Sequence, residues 1–108
     1  MPIRDYRDKR TASFVEGERV RAFEGFERQA GRAIAKLQSA TRLMDLRYPP
    51  SNRFEALGGN RRGEYSIRIN DRWRVCFCGA FTEQPRDGAD ILTVTGEPYD
   101  VEITDHYN

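Results

Sequence analysis

Apolar and polar residues alternate through Tyr65, Ser66, Ile67, Arg68 and Ile69, and again through Trp73, Arg74, Val75, Cys76 and Phe77. A period of two belongs to a strand with one buried face. Residues 64–77 therefore read as a hairpin with Tyr65, Ile67, Ile69, Trp73, Val75 and Phe77 on its core side. Opposed residues share a face. Pairing Ile69 with Trp73 leaves a three-residue loop, Asn70-Asp71-Arg72, which is a common hairpin length. The same register sets Arg68 directly across from Arg74, and like charges so opposed destabilise a strand pair. An anion is expected beside them. It is either Glu102 or Asp100, if the last strand lies beside 73–78, or a phosphate group of a ligand.

The rest of the chain supplies short elements around that hairpin. Residues 2–6, PIRDY, read as a first strand. A short helix is expected from about Asp8, closed by Gly17 as a C-terminal cap. From Ala22 to Ala40, apolar residues recur at three- and four-residue steps (Phe23, Phe26, Ala30, Ala33, Ile34, Leu37), the pattern of a helix with one core face. Gly25 and Gly31 weaken that helix. A further helical turn over 41–48 ends at Pro49 and Pro50. NRFEAL, 52–57, reads as a strand and GGNRRG, 58–63, as a loop. Residues 79–98 read as loop apart from the strand-like ILTV, 91–94. A connection of that length is functional, disordered or an added hairpin. In 99–104, Tyr99, Val101 and Ile103 alternate with Asp100, Glu102 and Thr104, again a half-buried strand. The sum is an α+β domain over 1–108, with N-terminal helices packed on a small, mostly antiparallel sheet and an unusual insertion at about 79–98.

Composition narrows the chemistry. No run of 18 apolar residues exists, so no membrane span is expected. The opening MPIRDYRDKR has no apolar signal core, and the cytoplasm is the expected location. Net charge is +1, but residues 1–74 carry 17 basic against 10 acidic side chains and residues 75–108 carry one against seven. The basic part suits a polyanion and the acidic part can offset it in the free protein. All basic residues except Lys9 and Lys36 are arginine, the better fork for phosphate, although base composition of a genome produces the same bias. Cys76 and Cys78 sit two apart on one strand, roughly 6.5–7 Å between Cα atoms, which suits a disulfide poorly. They read as ordinary thiols. No set of metal-ligand spacing is present, and neither metal nor cofactor is expected.

Continued alternation places His106, the only histidine, on the face of Arg68 and Arg74. Glu55 joins them if Phe54 is turned into the core. A terminal histidine is usually just exposed, but on an arginine-rich face it is an acid/base candidate. Arginines can bind a scissile phosphate and stabilise the charge of its transition state, and Tyr107 can stack on a base.

RDKRT (7–11), RLMDLRYPPSNRFEAL (42–57), GEYSIRINDRWRVCF (63–77) and YDVEITDHY (99–107) together resemble the HigB toxins of the RelE/ParE superfamily, also called plasmid maintenance system killer proteins. The resemblance covers nearly the whole chain except 79–98. It implies a RelE/ParE-like fold and a type II toxin that inhibits translation and growth as a ribosome-dependent mRNA endonuclease, metal-independent. It also implies a helix-turn-helix, HigA-like antitoxin, the ribosome and mRNA as partners, and operator DNA only through the antitoxin complex. By the resemblance Arg74 binds phosphate; Asp105, His106 and Tyr107 act at the scissile phosphate; and Arg53, Arg61, Arg62, Arg68 and Arg72 meet RNA or the ribosome.

The chain departs from the pattern in several places. The family usually ends in Asp-Tyr-His, and here the last two are exchanged. Gly58 stands where many members have Lys, and Glu55 where some have His. Two other readings remain. One is a superfamily relative that inhibits DNA gyrase by binding. The other is a weakened toxin acting as an antitoxin-binding co-repressor.

Overall fold

A computed structural model describes residues 1–81 and 96–107. Asp8 begins the helical part. Its carboxylate accepts the Thr11 amide at 3.1 Å and so caps α1, Lys9–Val15, satisfying a donor that the helix itself leaves free. Gly17, at φ +95°, turns the chain out of α1. The periodic stretch 22–40 is not one helix. Arg21–Phe23 forms a single 3-10 turn, Gly25 adopts φ +94°, and α2 runs only over Glu27–Ser39. A left-handed residue cannot continue a right-handed helix, so the apolar period spans a break that it does not reveal. The core face of α2 is Ala30, Ala33, Ile34 and Leu37. The turn expected over 41–48 is a 3-10 turn at Leu43–Arg47.

The sheet has four strands in the order β1-β2-β3-β4, all antiparallel neighbours: Glu55–Ala56, Glu64–Arg68, Arg74–Phe81 and Gly96–Thr104. This is the α+β arrangement expected. The hairpin register is also as derived: Ile67 faces Val75, Arg68 faces Arg74, and the Ile69 amide donates to the Trp73 carbonyl at 3.0 Å. Residues 79–81 and 96–98, read as loop, are paired ends of β3 and β4. ILTV, 91–94, lies outside the described residues. Residues 2–6 do not make a ladder strand. They run beside β4 through a parallel bridge between Tyr6 and Val101, with the Arg7 amide on the Val101 carbonyl at 3.0 Å.

One face of the sheet is apolar and closed by the helices. Ile67, Val75, Phe77, Val101 and Ile103 are buried there with Phe23 and Leu37. Phe26 stacks on Trp73 at 5.0 Å, and Phe23 meets Trp73 edge-on at 5.8 Å. Thr11 ties α1 to the sheet by accepting the Ile103 amide at 3.1 Å. The opposite face is polar, because every second residue of these strands is Glu, Ser, Arg, Cys or Thr, and among the described residues no α-helix covers it.

Candidate active face

The polar side chains of that face follow from the register. Glu55, Ser66, Cys76 and Glu102 form one row across the four strands; Arg68, Arg74 and Thr104 form the next. Glu55 thus shares the face of the arginine pair, exposed at its β1 margin. Arg74 is at the centre. It is 6% exposed, and its Nε donates to Ser66 Oγ at 2.8 Å. Its Nη2 donates to the Arg53 carbonyl and reaches the Ser66 carbonyl at 3.5 Å. Arg53 holds that carbonyl in place at φ +45°, in the left-handed region, while its own side chain is exposed. Tyr107 covers the guanidinium, its ring centre 5.6 Å from Arg74 Cζ.

Among the described residues all the hydrogen-bond acceptors of Arg74 are neutral. Among the described residues no carboxylate lies within ion-pair distance of it. The internal counter-ion expected from Glu102 or Asp100 is therefore not at Arg74. Arg68 has a partner in Asp71 of the hairpin loop, 2.5 Å away, but Asp71 is 99% exposed, and a pair in water is worth little. A fixed, buried cation with no countercharge among the described residues, under an aromatic ring, is suited to seat an anion.

Asp105 and His106 follow β4 directly. The His106 amide donates to Thr104 Oγ1 at 3.0 Å, and the Arg61 Nη2 donates to the His106 carbonyl at 2.7 Å. The backbone of His106 is therefore held beside the Arg74–Thr104 pair, while its imidazole is 89% exposed. Its Nε2 lies 3.3 Å from Asp105 Oδ1. The other Asp105 oxygen accepts Arg72 Nε at 3.0 Å and Nη2 at 2.9 Å. That hydrogen bond from Arg72 holds the Asp105 carboxyl below the usual aspartate range. Arg72 is thus turned toward an acid of its own chain, and its guanidinium carbon lies 5.9 Å from the centre of the Trp73 ring.

A second cluster occupies the other half of the face. Arg7 bridges Glu64 and Glu102 at 2.9 Å each, and Arg61 approaches the same two carboxylates at 3.1 and 3.5 Å. Burial opposes the charge of Arg7, but the hydrogen bonds to Glu64 and Glu102 outweigh it and raise its pKa. Glu102 thus does neutralise an arginine pair, but the pair is Arg7 and Arg61. Of the basic loop, Arg61 is enclosed in this network and Arg62 is exposed. Cys76 lies beneath, buried, with its thiol pushed up to about 12 by desolvation. Cys76 and Cys78 are both free thiols.

Tyr99 also departs from the simple alternation. Asp100 sits at φ +49° in a bulge, so that Cys78 faces Tyr99 whereas Cys76 faces Glu102. The extra residue moves Pro98 into the core and leaves Tyr99 half-buried beside Cys78. The Asp100 amide is taken by Asp5 Oδ1 at 2.7 Å, a partner that the local pattern does not announce. Ser66 and Thr104, which position Arg74 and His106, were not among the residues singled out by their chemistry. Only the hairpin register points to Ser66.

Comparison with known proteins gives two findings. Residues 4–84 match the family described as the RelE-like toxin of type II toxin–antitoxin system HigB. The chain is also 36% identical over 75 residues to Toxin HigB-1 of Vibrio cholerae serotype O1, a match that covers 68% of this chain and 79% of that protein.

Proposed function

The chain belongs to the HigB-like toxins of type II toxin–antitoxin systems, and from that premise we propose that it cuts messenger RNA on the ribosome with the Arg74 face of its sheet. The observation that carries this reading is Arg74 itself: buried, hydrogen-bonded among the described residues only to neutral oxygens, and covered by Tyr107. A scissile phosphate placed there completes the charge. The 2′-hydroxyl of the preceding nucleotide attacks phosphorus and loses its proton to a base, and the 5′-oxygen leaves with a proton from an acid. The products are a 2′,3′-cyclic phosphate and a 5′-hydroxyl. His106 exchanges these protons, Asp105 orients its ring, and Arg74 stabilises the charge that builds on the non-bridging oxygens. Tyr107 stacks on the adjoining base. The steps require no metal ion, and cleavage is expected to persist in EDTA once ribosome integrity is maintained.

Within that reading Arg53 and Arg62, exposed and without a carboxylate partner among the described residues, meet the RNA with Arg68. Arg61 and Arg72 act at one remove, holding the His106 carbonyl and Asp105. As a toxin of such a system the protein has an antitoxin; we assign it a helix-turn-helix protein that also carries the operator DNA contact, and a cytoplasmic site of action. Among the described residues no helix is long and apolar enough to cross a membrane.

Expression of the chain alone tests the reading. It is expected to arrest growth, with new mRNA 5′ ends confined to translated frames and relief by the antitoxin. Arrest with intact mRNA and altered DNA supercoiling would point to gyrase. No arrest would point to the co-repressor.

A further inference from the structure

β1 pairs with only Tyr65 and Ser66 of β2. Beyond it, on that side of the hairpin, Arg68 and Ile69 have no neighbouring strand among the described residues. The second half of α2 and the 3-10 turn at Pro50–Asn52 come up to that end. They enclose a cleft of about 150 Å³ lined by Gln29, Arg32, Lys36, Ser51 and Arg68, with Ala33 and Ile69 at its floor. Three of these side chains are cations, and among the described residues no carboxylate lines the cleft.

The cations are differently held. Lys36 Nζ donates to Asn52 Oδ1 at 2.7 Å, and Asn52 is 2% exposed, its own amide bound to the Leu46 and Tyr48 carbonyls at 3.1 Å each. A buried, fully engaged side chain thus fixes the lysine, whose ammonium keeps two further donors. Arg32 makes no hydrogen bond or ion pair among the described residues. Arg68 is shared: it stands opposite Arg74 on the active face and also closes the cleft. Several other arginines are paired within the chain, Arg7 and Arg61 with Glu64 and Glu102, Arg72 with Asp105, Arg19 with Glu24, and Arg42 with Asp45. Positive charge therefore runs from Arg74, across Arg68 with only the exposed Asp71 beside it, into this cleft.

We propose that the cleft is a second phosphate seat, in which Arg32, Lys36 and Arg68 hold an RNA phosphodiester away from the scissile bond. The ligand class rests on the RNA-cutting reading. The phosphate belongs either to the message leaving the active face or to ribosomal RNA. Either source would make binding depend on Arg32 and Lys36 and fall with salt.

The test measures binding, not cleavage. The full chain is titrated against a 2′-O-methyl single-stranded RNA, which cannot be cut, and separately against ribosomes without message, over a range of salt. The double variant Arg32→Gln with Lys36→Gln keeps a donor for Asn52. Arg32→Glu, at a side chain with no structural partner, serves if the double variant does not fold. The dependence of log K on log salt is expected to lose about 0.7 in slope for the double variant, the increment for one phosphate contact on a single strand. A loss in the oligonucleotide titration assigns the phosphate to the message; a loss with ribosomes alone assigns it to ribosomal RNA. Unchanged affinity and slope in both titrations, or no binding by the unaltered chain in either, would overturn the second seat. Binding that follows the expectation in a protein that never cuts mRNA would leave the seat standing and overturn the nuclease reading alone.

Discussion

The centre of the Tyr107 ring lies 5.6 Å from the guanidinium carbon of Arg74, so an aromatic face covers a cation that no carboxylate among the described residues neutralises. A cation–π contact of this kind contributes about 0.5–1 kcal/mol when exposed and ~2 kcal/mol when desolvated. Tyr107→Phe keeps the ring and is expected to preserve both stability and RNA affinity. Tyr107→Ala is expected to lose about 1 kcal/mol of stability and to weaken RNA binding. Urea unfolding and oligonucleotide titration of the two variants check this. Equal behaviour of Phe and Ala would remove the ring from the site.

Arg72 acts through Asp105. Because its hydrogen bond lowers the Asp105 pKa, the carboxylate stays ionised until pH falls below the usual aspartate range, and the contact is lost only as pH drops through that lowered value. Arg72→Ala is expected to raise the Asp105 pKa and to narrow the acid limb of the cleavage profile. Carboxyl-carbon NMR titration reads the shift directly. An unmoved Asp105 would leave Arg72 as a plain surface charge.

Glu64 serves two arginines at once, with a side chain only 11% exposed. Hydrogen bonds to charged groups contribute about 1.5–3 kcal/mol, so Glu64→Gln is expected to cost stability in that range, read as a lower urea midpoint with an unchanged m-value. A cost below ~0.5 kcal/mol, the ordinary effect of a surface substitution, would mean that the four-charge cluster is held only weakly.

Several of these relations were legible in the sequence. The alternation from Tyr65 to Phe77 and the three-residue loop were enough to oppose Arg68 and Arg74. The same alternation set Glu55 on their face, whereas His106 lies past the end of β4, with its backbone held beside Thr104. The alternation failed at Tyr99, because a bulge at Asp100 depends on Asp5, 95 residues away. It failed between Ala22 and Glu27, because a period of 3.6 continues across a 3-10 turn and a left-handed glycine. The partners of Arg61 and Arg72 were hidden for a related reason. A strand pattern says which face an arginine occupies, and only the packed chain says whether an acid reaches it.

Burial raises the Cys76 thiol to about 12. A folded-state pKa above the unfolded value means that this contribution to stability is complete below the unfolded thiol range, about 8.5, and is lost as pH rises toward 12. The protein is expected to lose stability steadily across that alkaline window and to react slowly with thiol reagents at neutral pH. Cys76→Ala should flatten the alkaline dependence. Rapid labelling of Cys76 in the folded chain would show instead that the sheet opens there.

The most direct measurement is mRNA 5′-end mapping in a reconstituted translation reaction, with the purified chain and with Arg74→Lys, each with and without ribosomes. Lysine keeps the charge but loses the fork that binds Ser66 and a phosphate together. Cleavage by the unaltered chain only when ribosomes are present, falling about 10²–10³-fold in Arg74→Lys as for loss of one transition-state donor, is the predicted result. Intact message with the unaltered chain, or equal cleavage by Arg74→Lys, would contradict the assignment of this face as the seat of the scissile phosphate.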